Sequence, residues 1–173
     1  SCTVFELRPK LGGMLRYGIP NYRFPRERLQ EDIDCILSTG VEIKYNTKIG
    51  ESLTIDDLRR QYDAVYVSIG AQSDKKVGIE GEESKNVYSA VDLLGSIGSD
   101  NPPDFTGKRV VVIGGGNVAM DVARSSVRLG ADKVAVAYRR RKADMTALPE
   151  EVESAMAEGV EIMELYAPER IEA

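Results

Sequence analysis

The chain contains no histidine, and it has only two cysteines among its 173 residues. Without histidine, a Ser-His-Asp or Cys-His catalytic arrangement and a His-ligated metal site are excluded from this chain. Cys2 and Cys35 stand far apart in the sequence, so they form neither a C-x-x-C redox pair nor a zinc or iron–sulfur ligand set. We expect both to be small buried residues in a reducing cytosol. Any redox chemistry must therefore be carried by a cofactor.

A strong charge imbalance and a long apolar segment are also missing. The net charge is −5, with 42% hydrophobic and 29% charged residues, a composition typical of a soluble globular protein. The acidic balance argues against wholesale binding of nucleic acid. No apolar stretch is long enough to cross a bilayer, and no secretory signal is visible. We therefore expect a cytoplasmic protein with neither a nucleic-acid partner nor a membrane partner.

The most informative pattern present is an apolar strand that runs into a glycine-rich turn and then into a helix. Gly114, Gly116 and Ala119 fit the Gly-x-Gly-x-x-Gly/Ala dinucleotide fingerprint. The first glycine makes the tight turn, the second lets a pyrophosphate approach the backbone, and the small third residue lets the helix pack on the strand. The helix N-terminus offers free N–H groups to the phosphates. The pattern predicts a dinucleotide site at Gly114, Gly115, Gly116, Asn117, Val118 and Ala119. A tight turn without a ligand is the alternative.

A basic run follows the second strand of this unit and indicates which dinucleotide binds. The strand, residues 134–138, is followed by Arg139, Arg140, Arg141 and Lys142, with no acid at its tip. An NAD site usually places Asp or Glu there for the ribose 2′-hydroxyl, whereas a guanidinium binds a 2′-phosphate bidentately. We therefore predict NADP(H), with Arg139 and Arg140 as the contacts nearest the strand end. A solvated basic surface run is the alternative.

The rest of the sequence alternates between predicted strands and helices, which indicates an α/β fold with mostly parallel sheets. The further predicted strands are residues 2–6, 41–45, 63–70 and 160–165. The further helices begin near Pro25, Thr54, Ser89 and Pro149, and residues 9–24 are expected to be irregular. Residues 98–107, which contain two prolines, are the best linker candidate and divide the chain into two units.

Several blocks of the sequence match one family. They are residues 4–6, 12–20, 23–25, 63–71, 113–121 and 138–140. On these blocks the chain resembles, over nearly its whole length, the flavin-containing small subunit of glutamate synthase and its relatives. The relatives include the NADPH-side domains of dihydropyrimidine dehydrogenase and the larger subunit of NADH-dependent ferredoxin:NADP oxidoreductase. Residues 145–147 correspond to a family Met-Pro-Ala, from which Thr146 departs.

The resemblance implies a Rossmann-like two-dinucleotide flavoprotein. It places a partial FAD-binding domain at residues 1–100 and the first part of an NADPH-binding domain at residues 107–173. NADPH would reduce FAD, and the electrons would pass to iron–sulfur clusters outside this chain, in the glutamate synthase large subunit or an equivalent acceptor. The chain starts without Met, and the family's FAD phosphate fingerprint is absent. We therefore expect an inactive interior piece that does not hold FAD tightly and that forms a homodimer through unpaired sheet edges.

The resemblance also implies a set of FAD contacts in the first domain. A carboxylate at the end of the first strand would bind the adenosine ribose, and a glycine turn would lie along the pyrophosphate toward the flavin. An arginine would make a polar contact, and a second tight turn would lie near the cofactor. In that order, these residues are Glu6; Gly12, Gly13 and Met14; Arg23; and Gly70 and Ala71. Without the resemblance they read as a strand end, ordinary turns and a solvated cation.

Three other functions remain as alternatives. A non-catalytic NADP-binding module, acting as a sensor or scaffold, would not need the block at residues 12–20. A dithiol reductase of the thioredoxin-reductase type needs two close cysteines in one motif, which this chain lacks. Nucleic-acid recognition by residues 139–142 is the weakest alternative, because that cluster is local and the surrounding charge is acidic.

Overall fold

The computed structural model describes residues 1–172, and the chain divides into two compact units, Ser1–Gln72 and a second unit that begins at Ser73. The first unit contains two strands and three helices. They are β1 (Thr3–Phe5), α1 (Gly13–Tyr17), α2 (Arg26–Leu37), β2 (Glu42–Lys44) and α3 (Ile55–Gln61). The strands β1 and β2 pair in parallel. The predicted parallel pairing is therefore present in this unit.

Local sequence signals set the helices of the first unit. Pro25 precedes α2, and the helix buries Leu29 and Ile33, which are one turn apart on one face. Thr54 and Asp57 form the predicted capping box of α3, in which each side chain accepts a hydrogen bond from the other residue's backbone N–H. Both helices thus begin where the sequence predicts.

Three expectations for the first unit are wrong. Residues 9–24 are not wholly irregular, because α1 forms there and buries Tyr17. Residues 63–70 form no strand, because no described strand lies beside them to accept their backbone hydrogen bonds, and Tyr66 is 91% exposed. Cys2 and Cys35 are exposed rather than buried, since the first lies before β1 and the second lies on α2 away from its buried face.

The second unit contains a three-stranded parallel sheet with the order β3-β4-β5. Its elements are α4 (Ala90–Gly98), β3 (Arg109–Ile113), α5 (Asn117–Arg128), β4 (Lys133–Tyr138), a 3-10 turn (Lys142–Asp144), α6 (Pro149–Ala157) and β5 (Glu161–Glu164). The alternation of strands and helices confirms the predicted α/β architecture. No helix within residues 1–172 is both long and apolar enough to span a membrane.

The core of the second unit lies where α5 packs on the sheet. Met120 and Ala123 on α5 and Val136 on β4 are fully buried. Leu93 and Leu94 of α4 belong to the same core. The compact unit therefore begins before α4 and not in the 98–107 segment, because burial of these leucines joins α4 to α5. The assignment of residues 1–100 to FAD and 107–173 to NADPH stays a prediction.

Charged side chains join α5 to α6 in one partly buried cluster. Arg124 donates to Glu151 at 2.9 Å and to Glu158 at 2.9 Å, and Arg128 donates to the same Glu158 carboxylate at 2.9 Å. The Arg128 guanidinium first, and then that of Arg124, lowers the pKa of Glu158 from 4.5 to about 2. These ion pairs hold α6 against α5, the helix that begins at the glycine turn.

The lowered pKa of Glu158 predicts a loss of stability in acid. Because the folded-state pKa lies below the unfolded value, the stabilisation is complete above about pH 4.5 and is lost as the pH falls toward 2. Partial exposure of the carboxylate limits the contribution to roughly 2 kcal/mol. Urea denaturation of the parent and of Glu158→Gln should converge as the pH falls. Glu153→Gln, which changes an exposed carboxylate on the same helix, should keep the parent's pH dependence, and equal behaviour of both variants would contradict the assignment.

Candidate dinucleotide-binding site

The glycine turn connects β3 to α5 as the fingerprint predicts. Gly114 has φ +139°, a conformation that side chains rarely adopt, and its N–H donates to the Ala137 carbonyl at 3.1 Å. A Cβ built on Gly114 would lie 3.6 Å from the Cβ of Ala119. A larger residue at position 119 would therefore push α5 away from the turn.

The N-terminus of α5 opens directly from this turn. Gly116 is the N-cap residue, and no side chain within residues 1–172 caps the helix. The Ala119 N–H bonds the Gly116 carbonyl at 3.0 Å, so the N–H groups of Asn117 and Val118 precede the first backbone bond. An uncapped helix N-terminus of this kind is suited to an anion, because its N–H groups and dipole both favour negative charge.

Packing within the fold requires a glycine at position 115, and its predicted contact with the dinucleotide stays a prediction. A Cβ on this residue would lie 2.5 Å from Cε2 of Tyr138 and 2.9 Å from its Cζ. The Tyr138 hydroxyl donates to the Asp144 carbonyl at 2.9 Å, so the ring cannot swing away freely. Sequence reasoning missed Tyr138 as a member of the site. The signal available was its place as the last residue of β4, the parallel strand that pairs with the strand before the glycine turn.

A short segment at residues 145–148, here called the latch, crosses over the turn. The Ala147 N–H donates to the Gly115 carbonyl at 3.0 Å, and the Leu148 N–H donates to Oδ1 of Asn117 at 2.9 Å. Ala147 is 6% exposed. The Asn117 side chain therefore holds the latch against the turn, a role that the sequence pattern did not indicate.

The basic run lies at the same edge of the sheet as the glycine turn. Ile113 pairs with Ala137, so the residues that follow β3 and β4 leave the sheet side by side. Arg139 and Arg140 are exposed, and the Arg140 carbonyl accepts from the Leu165 N–H at 3.1 Å. The backbone of the run is thus tied to the segment after β5, while its side chains extend into solvent. The geometry fits a phosphate group at this edge.

The predicted FAD residues in the first unit fit the cofactor only in part. Glu6 is half-buried at the end of β1, and its Oε1 accepts from the Arg8 N–H at 2.7 Å. A Cβ on Gly12 would lie 2.8 Å from Cδ2 of Leu29, so packing on α2 explains this glycine without a ligand. A Cβ on Gly13 would meet nothing within 4 Å. Open space beside the backbone is therefore present at Gly13 but not at Gly12.

The other predicted FAD residues lie on the surface. Met14 and Arg23 are exposed. Gly70 and Ala71 are exposed in the extended stretch that forms no strand, and no hydrogen bond within residues 1–172 includes either of them. Gly70 has φ +67°, which agrees with a turn. The FAD contacts of these residues stay predictions.

Within residues 1–172, no group of three or more Cys, Asp or Glu side chains lies close enough together to hold a metal ion. The glycine turn and the basic run present backbone N–H groups and guanidinium groups, which are groups that can bind phosphate.

Comparison with known proteins agrees with this geometry. The family model for pyridine nucleotide-disulphide oxidoreductases matches residues 6–172. The chain is 45% identical over 160 residues to the NADP(+)-dependent formate dehydrogenase subunit beta of Moorella thermoacetica, covering 91% of this chain and 23% of the relative. It is 37% identical over 169 residues to the glutamate synthase [NADPH] small chain of Escherichia coli, covering 92% of this chain and 36% of the relative. The chain thus spans about a quarter to a third of these relatives.

Solved structures give the same fold. FprA of Mycobacterium tuberculosis superposes with a TM-score of 0.76 and 26% identity, covering 91% of this chain and 40% of FprA. Its complex with NADPH gives a TM-score of 0.75. These matches confirm the Rossmann-like fold and the resemblance to the glutamate synthase small subunit, and members of the matched family are NAD(P)H-dependent oxidoreductases that bind FAD. The chain belongs to the pyridine nucleotide-disulphide oxidoreductase family.

Proposed function

We propose that this chain binds NADPH and supplies the electron-input part of a flavoprotein oxidoreductase. One observation carries the proposal. The glycine turn, from which the uncapped helix α5 begins, lies beside the exposed Arg139 and Arg140 at one edge of a parallel sheet. This edge lies at the carboxyl ends of the strands, where open α/β sheets bind dinucleotides. The first group binds a pyrophosphate and the second a 2′-phosphate.

Different residues bind the pyrophosphate and the 2′-phosphate. The N–H groups of Asn117 and Val118 hold the pyrophosphate, and the missing side chain of Gly116 lets it approach. Arg139 and Arg140 hold the 2′-phosphate with paired N–H donors. Bound NADPH supplies a hydride, which bound FAD accepts. This chain has no histidine, so its own contribution is binding, orientation and electrostatics.

The FAD contacts belong to the same proposal. The half-buried carboxylate of Glu6 holds a ribose hydroxyl, and the open backbone at Gly13 admits the pyrophosphate. We assign the remaining contacts as the resemblance implies, to Gly12, Met14, Arg23, Gly70 and Ala71.

We propose a glutamate synthase small subunit, or a close relative, as the whole protein. Its electrons then pass to an iron–sulfur partner, and we propose that it works in the cytoplasm, where exposed free thiols such as those of Cys2 and Cys35 stay reduced. Relatives with 45% and 40% identity are named as subunits of a formate dehydrogenase and an NADPH-Fe(3+) oxidoreductase. Electron input from NADPH therefore occurs in relatives with different acceptors, and we propose this reaction for the chain whichever acceptor its electrons reach.

Loss of the arginine pair tests the nucleotide assignment. In Arg139→Gln/Arg140→Gln, we expect NADPH affinity to fall about 30-fold while NADH affinity changes less than about twofold, because only NADPH carries the 2′-phosphate. Calorimetric titration of both nucleotides measures the two affinities. Lys108→Gln/Arg109→Gln removes two exposed charges at the opposite end of β3 and should leave the preference intact. An unchanged NADPH-to-NADH ratio in the arginine variant would reject the 2′-phosphate site.

A further inference from the structure

One hydroxyl beside the glycine turn is not used by the fold. A Cβ built on Gly116 would lie 3.5 Å from Oγ1 of Thr146, which is ordinary van der Waals contact. Thr146 is exposed, and no hydrogen bond joins its hydroxyl to another described residue. The hydroxyl therefore borders the volume that the missing side chain of Gly116 leaves open, and its donor is available.

The neighbours of Thr146 hold this hydroxyl in place. Met145 packs against the core of the second unit. On the other side, the Ala147 N–H donates to the Gly115 carbonyl at 3.0 Å, and the next N–H, that of Leu148, donates to Asn117 Oδ1 at 2.9 Å. Because both flanks are anchored, Thr146 does not have to be ordered when a ligand arrives, and such preorganisation favours binding.

We propose that Thr146 is a further binding residue for the dinucleotide and that its hydroxyl donates a hydrogen bond to an oxygen of the pyrophosphate. The inference rests on the proposed function, since it takes the pyrophosphate to lie over Gly116. A phosphate oxygen that fills the open volume at Gly116 lies against Thr146 Oγ1. A hydrogen bond to a charged phosphate is stronger than one between neutral groups, so the contact contributes to affinity even at an exposed position.

Thr146 and the two arginines contact different parts of the nucleotide. NADPH and NADH share the pyrophosphate and differ in the 2′-phosphate. Thr146 therefore strengthens binding of both nucleotides equally, whereas Arg139 and Arg140 strengthen binding of NADPH alone. Loss of the Thr146 hydroxyl should therefore change the affinity for both nucleotides, whereas loss of the arginines should change the ratio of NADPH to NADH affinity. The two effects can be measured separately.

Exchange of the hydroxyl at constant shape tests the proposal. By calorimetric titration, Thr146→Val should weaken NADPH and NADH binding alike, by about 10-fold, and leave their ratio at the parent value. Thr146→Ser keeps the hydroxyl and should bind within about twofold of the parent. Thr106→Val makes the same chemical change before β3, at the end of that strand opposite the glycine turn. It should leave the binding of both nucleotides unchanged. Thermal melting followed by circular dichroism checks that each variant is folded.

Four outcomes would overturn the role of Thr146. Parent-like binding by Thr146→Val, or equal losses in the Val and Ser variants, would show that the hydroxyl makes no contact. A loss confined to NADPH would place the contact at the 2′-phosphate instead. If Arg139→Gln/Arg140→Gln left the ratio of NADPH to NADH affinity unchanged while Thr146→Val weakened binding of both nucleotides, the 2′-phosphate site would be rejected and the Thr146 contact would be supported. If the parent chain bound neither nucleotide, both the function and this contact would be rejected.

Discussion

The substitution Gly115→Ala should lower the free energy of unfolding by about 2–3 kcal/mol, because overpacking a well-packed site has a cost of this size. The new Cβ would lie 2.5 Å from Cε2 of Tyr138 and 2.6 Å from its Cδ2. Relief requires the ring to move, and the ring is fixed by the hydrogen bond from its hydroxyl to the Asp144 carbonyl. Movement of Tyr138 would also disturb the arginine that follows it, so NADPH binding should weaken as well. Urea denaturation and NADPH titration measure the two effects.

The adjacent substitution Gly116→Ala is the matched control. Its Cβ would meet only Thr146 Oγ1, at 3.5 Å, and the backbone of Gly116 is extended, with φ −100°, which any residue adopts. We expect a change in unfolding free energy below about 0.5 kcal/mol but a loss of NADPH affinity of at least about tenfold, since the methyl occupies the space that the pyrophosphate needs. Equal destabilisation by both variants would contradict the division between a packing glycine and a ligand glycine.

A double variant checks the physical cause of the Gly115→Ala effect. If the clash with the ring is responsible, the losses from Gly115→Ala and Tyr138→Ala should be less than additive, because removal of the ring also removes the clash. Additive losses would place the cause in the backbone of the turn instead. The same urea denaturation experiment gives the coupling free energy between the two residues.

Replacement of Arg124 by Met should lower the free energy of unfolding by about 2–3 kcal/mol, because it leaves two partly buried carboxylates without their shared partner. The Arg124 side chain is 13% exposed, and those of Glu151 and Glu158 are 17% and 25% exposed. Met keeps most of the apolar volume, so lost packing contributes little. Urea denaturation near neutral pH measures the loss.

Two comparisons separate charge loss from other effects. Arg128 contacts the same Glu158 but is 41% exposed, so Arg128→Met should lower the unfolding free energy by about 1 kcal/mol or less. Arg124→Met should cost less in a Glu158→Gln background than in the parent, because the ion pair between Arg124 and Glu158 is then already absent. If Arg124→Met were no more harmful than Arg128→Met, burial of the cluster would not contribute to its strength.

Much of this fold was predictable because its signals are local. Pro25, the capping box at Thr54 and Asp57, and the N-cap Ser89 each act within one helical turn, and each helix begins at the predicted place. The strand at residues 63–70 has an equally clear pattern and does not form in this structure. A strand needs a hydrogen-bonded neighbour, and its own sequence does not specify whether one is present.

The sequence by itself determined the site's chemistry: a glycine turn that opens a helix, and arginines instead of an acid after the next strand. Both depend on residue type and spacing, which are read along the chain. Tertiary structure decided which glycine is packed and which is open, since Tyr138 reaches Gly115 and Thr146 reaches Gly116 from more than twenty residues away. It also decided the latch and the Arg124 cluster. Such contacts depend on the register of parallel strands and the docking of helices, which only the folded chain establishes.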